Sequence, residues 1–379
     1  MKIKLLLLMV AMVSLVACRE EDEIISSTDT DVSEGTQHSL IKGFFLLNEG
    51  NMGNNKATLD YYDYETGVYT KNIYAERNPG VVKELGDVGN DLEIYGNKLY
   101  AVINCSHFVE VMDVETAKHI TQISIPNCRY ITFKDQFAYV SSYAGPVAID
   151  PKARLGYVAK VDTVTFEVVD TCVVGYQPEE MAIVGNKLYV ANSGGYRAPD
   201  YDRRVSVIDL DTFDEIKKID VAINLHRMEA DRYGRLYVTS RGDYKQASSD
   251  TYVIDTRTDE VVRNLQLPNS EMVMDGDSLY IYSYDYNRKS MATAIYDVVR
   301  EDVVDNQLID GTALNIEVPY GIAVNPETKE LFITDAKDYV NPGKLYCFDR
   351  NRHYQWSVTT GDIPAHFAFT TKRLKVLSK

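Results

Sequence analysis

A single tryptophan (Trp356), six histidines and no two cysteines at Cys-x-x-Cys spacing leave this chain short of several kinds of chemistry. Without that spacing, Cys105, Cys128, Cys172 and Cys347 do not read as a zinc site. The histidines are dispersed, so there is no His-Glu-x-x-His motif. A nucleophile elbow and a phosphate-cradling glycine loop are also missing. Catalysis therefore has no motif to rest on. Positive charge is scarce as well: 40 Lys and Arg face 56 Asp and Glu, for a net charge of −16. A field of that sign repels phosphate backbones and anionic lipid, so nucleic acid is not an expected partner. Long helical periodicity is lacking too, which argues against a coiled coil.

Tyrosine is abundant, with 28 copies, and Val, Ile and Thr are frequent; such residues suit half-buried strands. One short phrase recurs: Leu99-Tyr100, Ala138-Tyr139, Leu188-Tyr189, Leu236-Tyr237, Leu279-Tyr280 and Leu331-Phe332. The interval is roughly 40 to 50 residues, the period of propeller blades. A second series marks the outer half of each repeat with an acid at a strand end: Asp63, Asp113, Asp162, Asp209, Asp255, Asp297 and Asp349. In five of them a Thr follows three residues later, which reads as turn chemistry rather than catalysis. Seven outer pairs need seven inner strands, and only six precede the C-terminus. The seventh is Ile363 to Phe369, whose sequence resembles the inner strands that begin near Gln177 and Pro319. The predicted fold is an all-β, seven-bladed propeller over residues 41–379, closed by the C-terminal strand joining blade 1.

With the four strands of a blade labelled A to D from the axis outward, the A–B and C–D turns are short, whereas the B–C loops are long and irregular. B–C loops and D–A connections emerge on one side of a meander, so all elaboration falls on one rim. The residues expected to bind ligand there are Tyr143, Tyr196, Arg197, Tyr201, Arg241, Tyr244, Tyr284, Tyr286 and Tyr339 on B–C loops. Nearer the axis, the D–A connections add Tyr130, Tyr176, His226, Arg227, Tyr320 and His366. Tyrosine offers a broad apolar face and one hydroxyl at low entropic cost. The loop from Ser193 to Asp202 is the part expected to contribute most. His107, His226 and His366 could face one another across the rim. Asp200, Asp202, Asp243, Asp285 and Asp338 read as solvated loop acids; no metal site is expected.

The N-terminus has a separate logic. Lys2 and Lys4 precede an apolar run from Leu5 to Ala17, too short to span a bilayer, and Leu15-Val16-Ala17-Cys18 follows. This resembles the lipobox of bacterial lipoproteins, which implies that residues 1–17 are a signal peptide and that Cys18 is lipidated. The acidic run Glu20 to Glu23 resembles a Bacteroidetes surface-export signal, and residues 18–40 read as a flexible acidic tether. Cys105 and Cys128, in predicted loops of consecutive blades, are the one candidate disulfide pair, while Cys172 and Cys347 read as buried hydrophobes.

Taken with Asn48-Glu49-Gly50-Asn51-Met52-Gly53, these features resemble the BtuG-like, vitamin B12-capturing surface lipoproteins of gut Bacteroides, YncE-like seven-bladed propellers. The resemblance covers the whole chain but supplies no short cobalamin motif. It implies a non-enzymatic cobalamin-binding lipoprotein on the extracellular face of the outer membrane, held to that membrane only through its lipid. The corrinoid would be a bound ligand passed to a TonB-dependent transporter, and no cofactor is implied. Two other classes use this scaffold: a glycan-binding surface propeller, and a propeller enzyme of lyase or quinoprotein type.

Overall fold

The structure is a computed structural model and describes residues 26–37, 40–81, 84–285, 288–309 and 314–375. Cys18 with its lipobox, and Tyr286, lie outside those residues. Six four-stranded sheets and one of five strands form the seven blades. Strands A are Gly89–Tyr95, Cys128–Lys134, Pro178–Val184, Leu225–Ala230, Glu271–Asp275 and Pro319–Val324 in blades 2 to 7. In blade 1 the C-terminal strand Pro364–Thr370 takes this place, pairing with strand B, Gly43–Asn48, in the register Gly43↔Thr370 and Leu46↔Phe367. The predicted closure is therefore present.

Alternation of side chains buries strands B and C on both faces, because each blade is sandwiched between two others. Strand D is covered on one side at most. Thus Lys187–Asn192 is almost wholly buried, whereas Val168–Val173 is largely exposed. The core lies between blades: Tyr100, Val102 and Val111 of blade 2 pack with Ile131, Ala138 and Val140 of blade 3. At the closure, the fully buried Phe44 ring packs against Tyr62, Phe332, Phe367 and Phe369 at centroid distances of 5.3, 4.8, 5.6 and 5.7 Å. Burying such a ring contributes about 1.5–3 kcal/mol, and here it ties blade 1 to blade 7.

The seven acidic marks are turn formers. Asp63 Oδ1 accepts the Glu65 N–H at 2.8 Å, and Asp162 Oδ1 accepts Val164 and Thr165 N–H at 2.8 and 2.9 Å. Asp209, Asp297 and Asp349 do the same in their blades. Each carboxylate satisfies backbone donors that the tight C–D turn would otherwise leave open.

Two expectations are corrected. All four described cysteines are free. Cys128 begins strand A of blade 3 rather than a loop, and its buried Sγ donates to the Phe108 carbonyl at 3.3 Å, while Cys105 Sγ turns to Asn104 Oδ1. Cys172 and Cys347 are buried as expected. Second, part of the segment read as a tether is ordered: Thr28–Asp31 adds a fifth, outermost strand to blade 1. It pairs antiparallel with strand D, Val68–Lys71, in the register Thr28↔Lys71 to Asp31↔Val68. Its exposed polar side chains contribute no core, so backbone pairing to an open sheet edge holds it.

Candidate functional site

The site begins with a backbone device repeated around the axis. In five blades the residue before strand A has a left-handed conformation: Val88 (φ 60°), Asn127 (43°), Gln177 (49°), Asn224 (55°) and Ile363 (56°). For β-branched Val88 and Ile363 this is a strained state, held only because the surroundings over-determine it. Each carbonyl accepts the N–H of the residue just past strand B: Asn104, Tyr143, Ser193, Arg241 and Glu49 respectively, at 2.8–3.1 Å. The first residue of strand A then pairs normally, as in Cys128↔Ser142, Pro178↔Asn192, Leu225↔Ser240 and Pro319↔Asp335. Register slips immediately afterwards. Such a bulge frees one or two side chains from the ladder and re-aims them. The residues released are Arg129, Glu179, His226 and Tyr320, and with Glu271 of blade 6 all of them line one central cavity.

That cavity has a volume of about 580 Å³, opens on the long-loop rim and is bounded further by Tyr143, Tyr196, Arg241, Tyr244, Tyr282 and Tyr284. A neighbouring lobe of about 340 Å³ shares Arg129, Tyr196, His226, Arg227, Arg241 and Tyr320, and adds Glu49, Asn90, Asn104 and Tyr130. Both volumes lie within the range of small-molecule sites, and the lining mixes aromatic rings with a few convergent polar groups.

A dense ionic network forms the floor. Glu179, almost fully buried, accepts hydrogen bonds from Tyr143 OH at 2.6 Å, Ser193 Oγ at 3.0 Å, Arg129 Nη2 at 3.1 Å and Arg241 Nη1 at 3.4 Å. Burial alone would push its carboxyl up. Arg129, Arg241 and the Tyr143 hydroxyl outweigh that effect and hold it below the ordinary range. Arg227 pairs with Glu271 at 2.6 Å, lies 3.7 Å from Glu180 and donates to Tyr130 OH at 2.9 Å. Tyr130 OH also meets His226 Nε2 at 2.9 Å. Burial, then Arg241 and Arg227, keep His226 well below the usual imidazole range and hence neutral. Below this floor the inner strands carry further acids. Burial pushes Glu180 up to about 8, opposed by Arg227 and reinforced by Glu271, and pushes Glu229 up to about 7. On the opposite wall Glu49 accepts from Tyr320 OH at 2.9 Å and meets His366 Nε2 at 3.1 Å.

Among the residues expected to bind ligand, the structure brings Tyr143, Tyr196, His226, Arg227, Arg241, Tyr244, Tyr284 and Tyr320 to the main cavity, and Tyr130 to the adjoining lobe. His366 stands behind Glu49, and Tyr339 is edge-on to Tyr320 at 5.9 Å. Tyr176, Arg197 and Tyr201 are outside the lining. Arg197 instead covers the Tyr176 ring at 3.7 Å and donates to the carbonyls of Asp200 and Pro151. The loop from Ser193 to Asp202 thus reaches the cavity only through Gly195 and Tyr196, on a single 3₁₀ turn whose Tyr196 N–H is fixed by Gln177 Oε1 at 2.8 Å. Asp202 is buried rather than solvated, and accepts the Tyr176 N–H while pairing with Arg204. His107 does not join the other two histidines; it lines a separate depression with Met52 and Cys105. Among the described residues, no group of three or more His, Cys, Asp or Glu could hold a metal ion.

Arg129, Glu179, Glu271, Asn224, Asn269 and Tyr282 line the cavity without having been expected there. A usable signal exists. Arg129, Glu179, His226 and Tyr320 each stand second in strand A, after Cys128, Pro178, Leu225 and Pro319, and Glu271 opens strand A of blade 6. Alignment of strand starts, rather than a search by residue type, would have found them.

Comparison with known proteins agrees with this architecture. No curated protein matches the chain. Solved structures similar to it include a quinonprotein alcohol dehydrogenase-like protein from Bacteroides thetaiotaomicron, at 16% identity over 88% of this chain and 79% of that one, TM-score 0.59. A hypothetical selenium-binding protein from Sulfolobus tokodaii aligns at 11% identity over 89% and 95% of the chains, TM-score 0.63. Apo AztD from Citrobacter koseri aligns at 12% over 88% and 98%, TM-score 0.53. At these identities the likeness concerns the fold alone. The family described as "Domain of unknown function (DUF5074)" matches residues 42–361, in keeping with a YncE-like propeller, and the chain belongs to that DUF5074 family.

Proposed function

We infer that this protein is a non-enzymatic, surface-exposed lipoprotein that captures cobalamin or a related corrinoid and passes it to a TonB-dependent outer-membrane transporter. The observation that carries the reading is the central cavity: tyrosines and arginines converge on the one rim that bears every long loop, on a scaffold that keeps them in place. A corrinoid is broad, amide-rimmed and close to neutral, so it suits a wall of tyrosine rings interrupted by amides such as Asn224 and Asn269. It exceeds the cavity alone, and on this reading its broad face rests over the mouth among the loops. Because bulges and an ion-pair network hold the lining in place, little ordering cost opposes binding. The lipobox-like Leu15 to Cys18 supports surface anchoring, and the resemblance to BtuG-like proteins supports the ligand and the transporter. Calorimetric titration of the purified protein with cyanocobalamin tests it; no heat and no co-elution of the coloured ligand would remove the assignment.

One observation favours a second reading. His366 and Glu49 meet at 3.1 Å with Tyr320 on the same carboxylate, an arrangement able to move protons, as a propeller lyase would require. A turnover screen against polyuronides that His366→Ala abolishes would select it. The glycan-binding alternative gains no such support: the tyrosine pairs Tyr143–Tyr196 and Tyr320–Tyr339 are edge-on rather than stacked platforms.

A further inference from the structure

We propose that the cavity wall formed by blades 3, 4 and 5 is a subsite for an anionic group of the ligand, a carboxylate or a phosphate, received by Arg241 with Arg129 beside it. The inference rests on the central cavity being the ligand site, and it deepens that reading by naming a chemical group.

The first argument is stoichiometric. Two guanidiniums, Arg129 and Arg241, share the single carboxylate of Glu179, so among the described residues one positive charge on this wall has no counterpart. The other acids nearby do not supply it. Glu271 is taken by Arg227 at 2.6 Å, and Glu49 lies across the cavity with Tyr320 and His366 on its oxygens. Glu180, with its carboxyl pushed up to about 8, is largely protonated at neutral pH.

The second argument is geometric. A guanidinium carries five N–H donors in a rigid fork. Arg241 spends one of them, at the long distance of 3.4 Å, on Glu179. None of its nitrogens is sealed off without a partner, so the remaining donors lie open to the cavity that the residue lines. A fork in that state matches a planar pair of oxygens, and the enclosed setting strengthens the contact relative to water. Arg129, closer to Glu179 and packed over the Tyr143 ring at 4.9 Å, is the fixed member of the pair.

The third argument is one of context. With a net charge of −16, the surface repels anions at long range. A positive wall inside such a molecule therefore acts on an anion at short range, and an anionic group carried within a larger body gains further contacts there that a small anion such as pyrophosphate lacks.

The test measures binding of inorganic pyrophosphate, cyanocobalamin and dicyanocobinamide by calorimetry at constant ionic strength. Cyanocobalamin carries a phosphodiester that dicyanocobinamide lacks. The probes are run on the wild-type protein, Arg241→Gln and Arg241→Lys, with melting curves to confirm folding. The expected result is saturable pyrophosphate binding that Arg241→Gln weakens by about tenfold or more, with Arg241→Lys in between. Cyanocobalamin should lose affinity in Arg241→Gln and dicyanocobinamide should not. If neither corrinoid binds but pyrophosphate does, and Arg241→Gln abolishes it, the anionic subsite stands and the corrinoid reading falls. If corrinoids bind all three proteins equally and pyrophosphate binds none, the corrinoid reading stands and the subsite is overturned.

Discussion

Replacing Glu179 with Gln keeps its shape and one acceptor oxygen but deletes the charge that Arg129 and Arg241 share. The carboxylate accepts from two arginines, a tyrosine and a serine, all at 3.4 Å or less. Leaving two enclosed guanidiniums without their carboxylate costs about 3–5 kcal/mol, the usual consequence of breaking a buried ion pair from one side. At about 2.1 cal/mol/K per residue over roughly 330 residues, the unfolding entropy is about 0.7 kcal/mol/K, so Tm should fall by about 4–7 °C. Differential scanning calorimetry at pH 7 measures this directly. The pH dependence supplies a second readout. Because the folded carboxyl is held below its ordinary 4.5, its stabilisation is present above that pH and disappears as pH falls through the folded value. The gap between wild type and Glu179→Gln should therefore narrow on acidification below about pH 4.5. A Tm difference under about 1 °C at pH 7, or a gap that stays constant into acid, would refute the view that Glu179 holds the floor together.

Phe44→Ala should cost about 3–5 kcal/mol by emptying the ring cluster that joins blades 1 and 7, and truncation before Ile363 should abolish a sharp thermal transition; an unchanged melt in either case would contradict closure through the C-terminal strand. Glu180, pushed up to about 8, reverses the sign of the Glu179 effect: its contribution to stability should decline as pH rises from about 4.5 to 8 and level off above, so Glu180→Gln should show a shallower decline than wild type over that window. Parallel Tm–pH curves for the two proteins would remove that claim. Tyr196→Ala should weaken cyanocobalamin binding by about tenfold, whereas Tyr201→Ala, outside the lining, should leave it unchanged. Equal effects of the two substitutions on calorimetric affinity would move the site outward along the loop.

The blade count and the closure were legible because their signals are local and repeated. Asp63 and its six counterparts announce turns through their own side chains, and the Leu-Tyr pairs record the buried alternation of strand B. The lining was less legible. Whether residue 129 or residue 130 faces the axis depends on a one-residue slip in pairing, and the left-handed residues that set it, Val88 and Ile363 among them, are poor candidates for that conformation by type. Residue type therefore points to His226, Arg227 and Tyr320 but not to Glu179, and it does not separate Arg129 from arginines elsewhere on the rim, because the role of both is positional. It also admitted Arg197, whose guanidinium is spent on the Tyr176 ring. The outermost strand Thr28–Asp31 was invisible for another reason: a strand that joins an exposed edge through its backbone needs no apolar alternation, and Thr-Asp-Thr-Asp has none.

That added strand also has a direction. Strand D of blade 1 climbs toward the loop rim, and the added strand runs antiparallel to it, so Thr28, opposite Lys71, is at the rim and Asp31 at the far side. Ser27 is fastened there as well, its N–H donating to Glu76 at 2.9 Å in the connection that leads to blade 2. At Ser27 the described chain is therefore on the side on which the cavity opens. Nine residues lie between Cys18 and Thr28, and a fully extended segment spanning them reaches at most about 35 Å. If Cys18 carries lipid, as its lipobox resemblance implies, that reach sets the greatest distance between the membrane anchor and the rim where Ser27 is fastened. Lengthening the segment between Cys18 and Thr28 should then increase that distance without touching the pocket, which fluorescence quenching between a rim label and the bilayer would report.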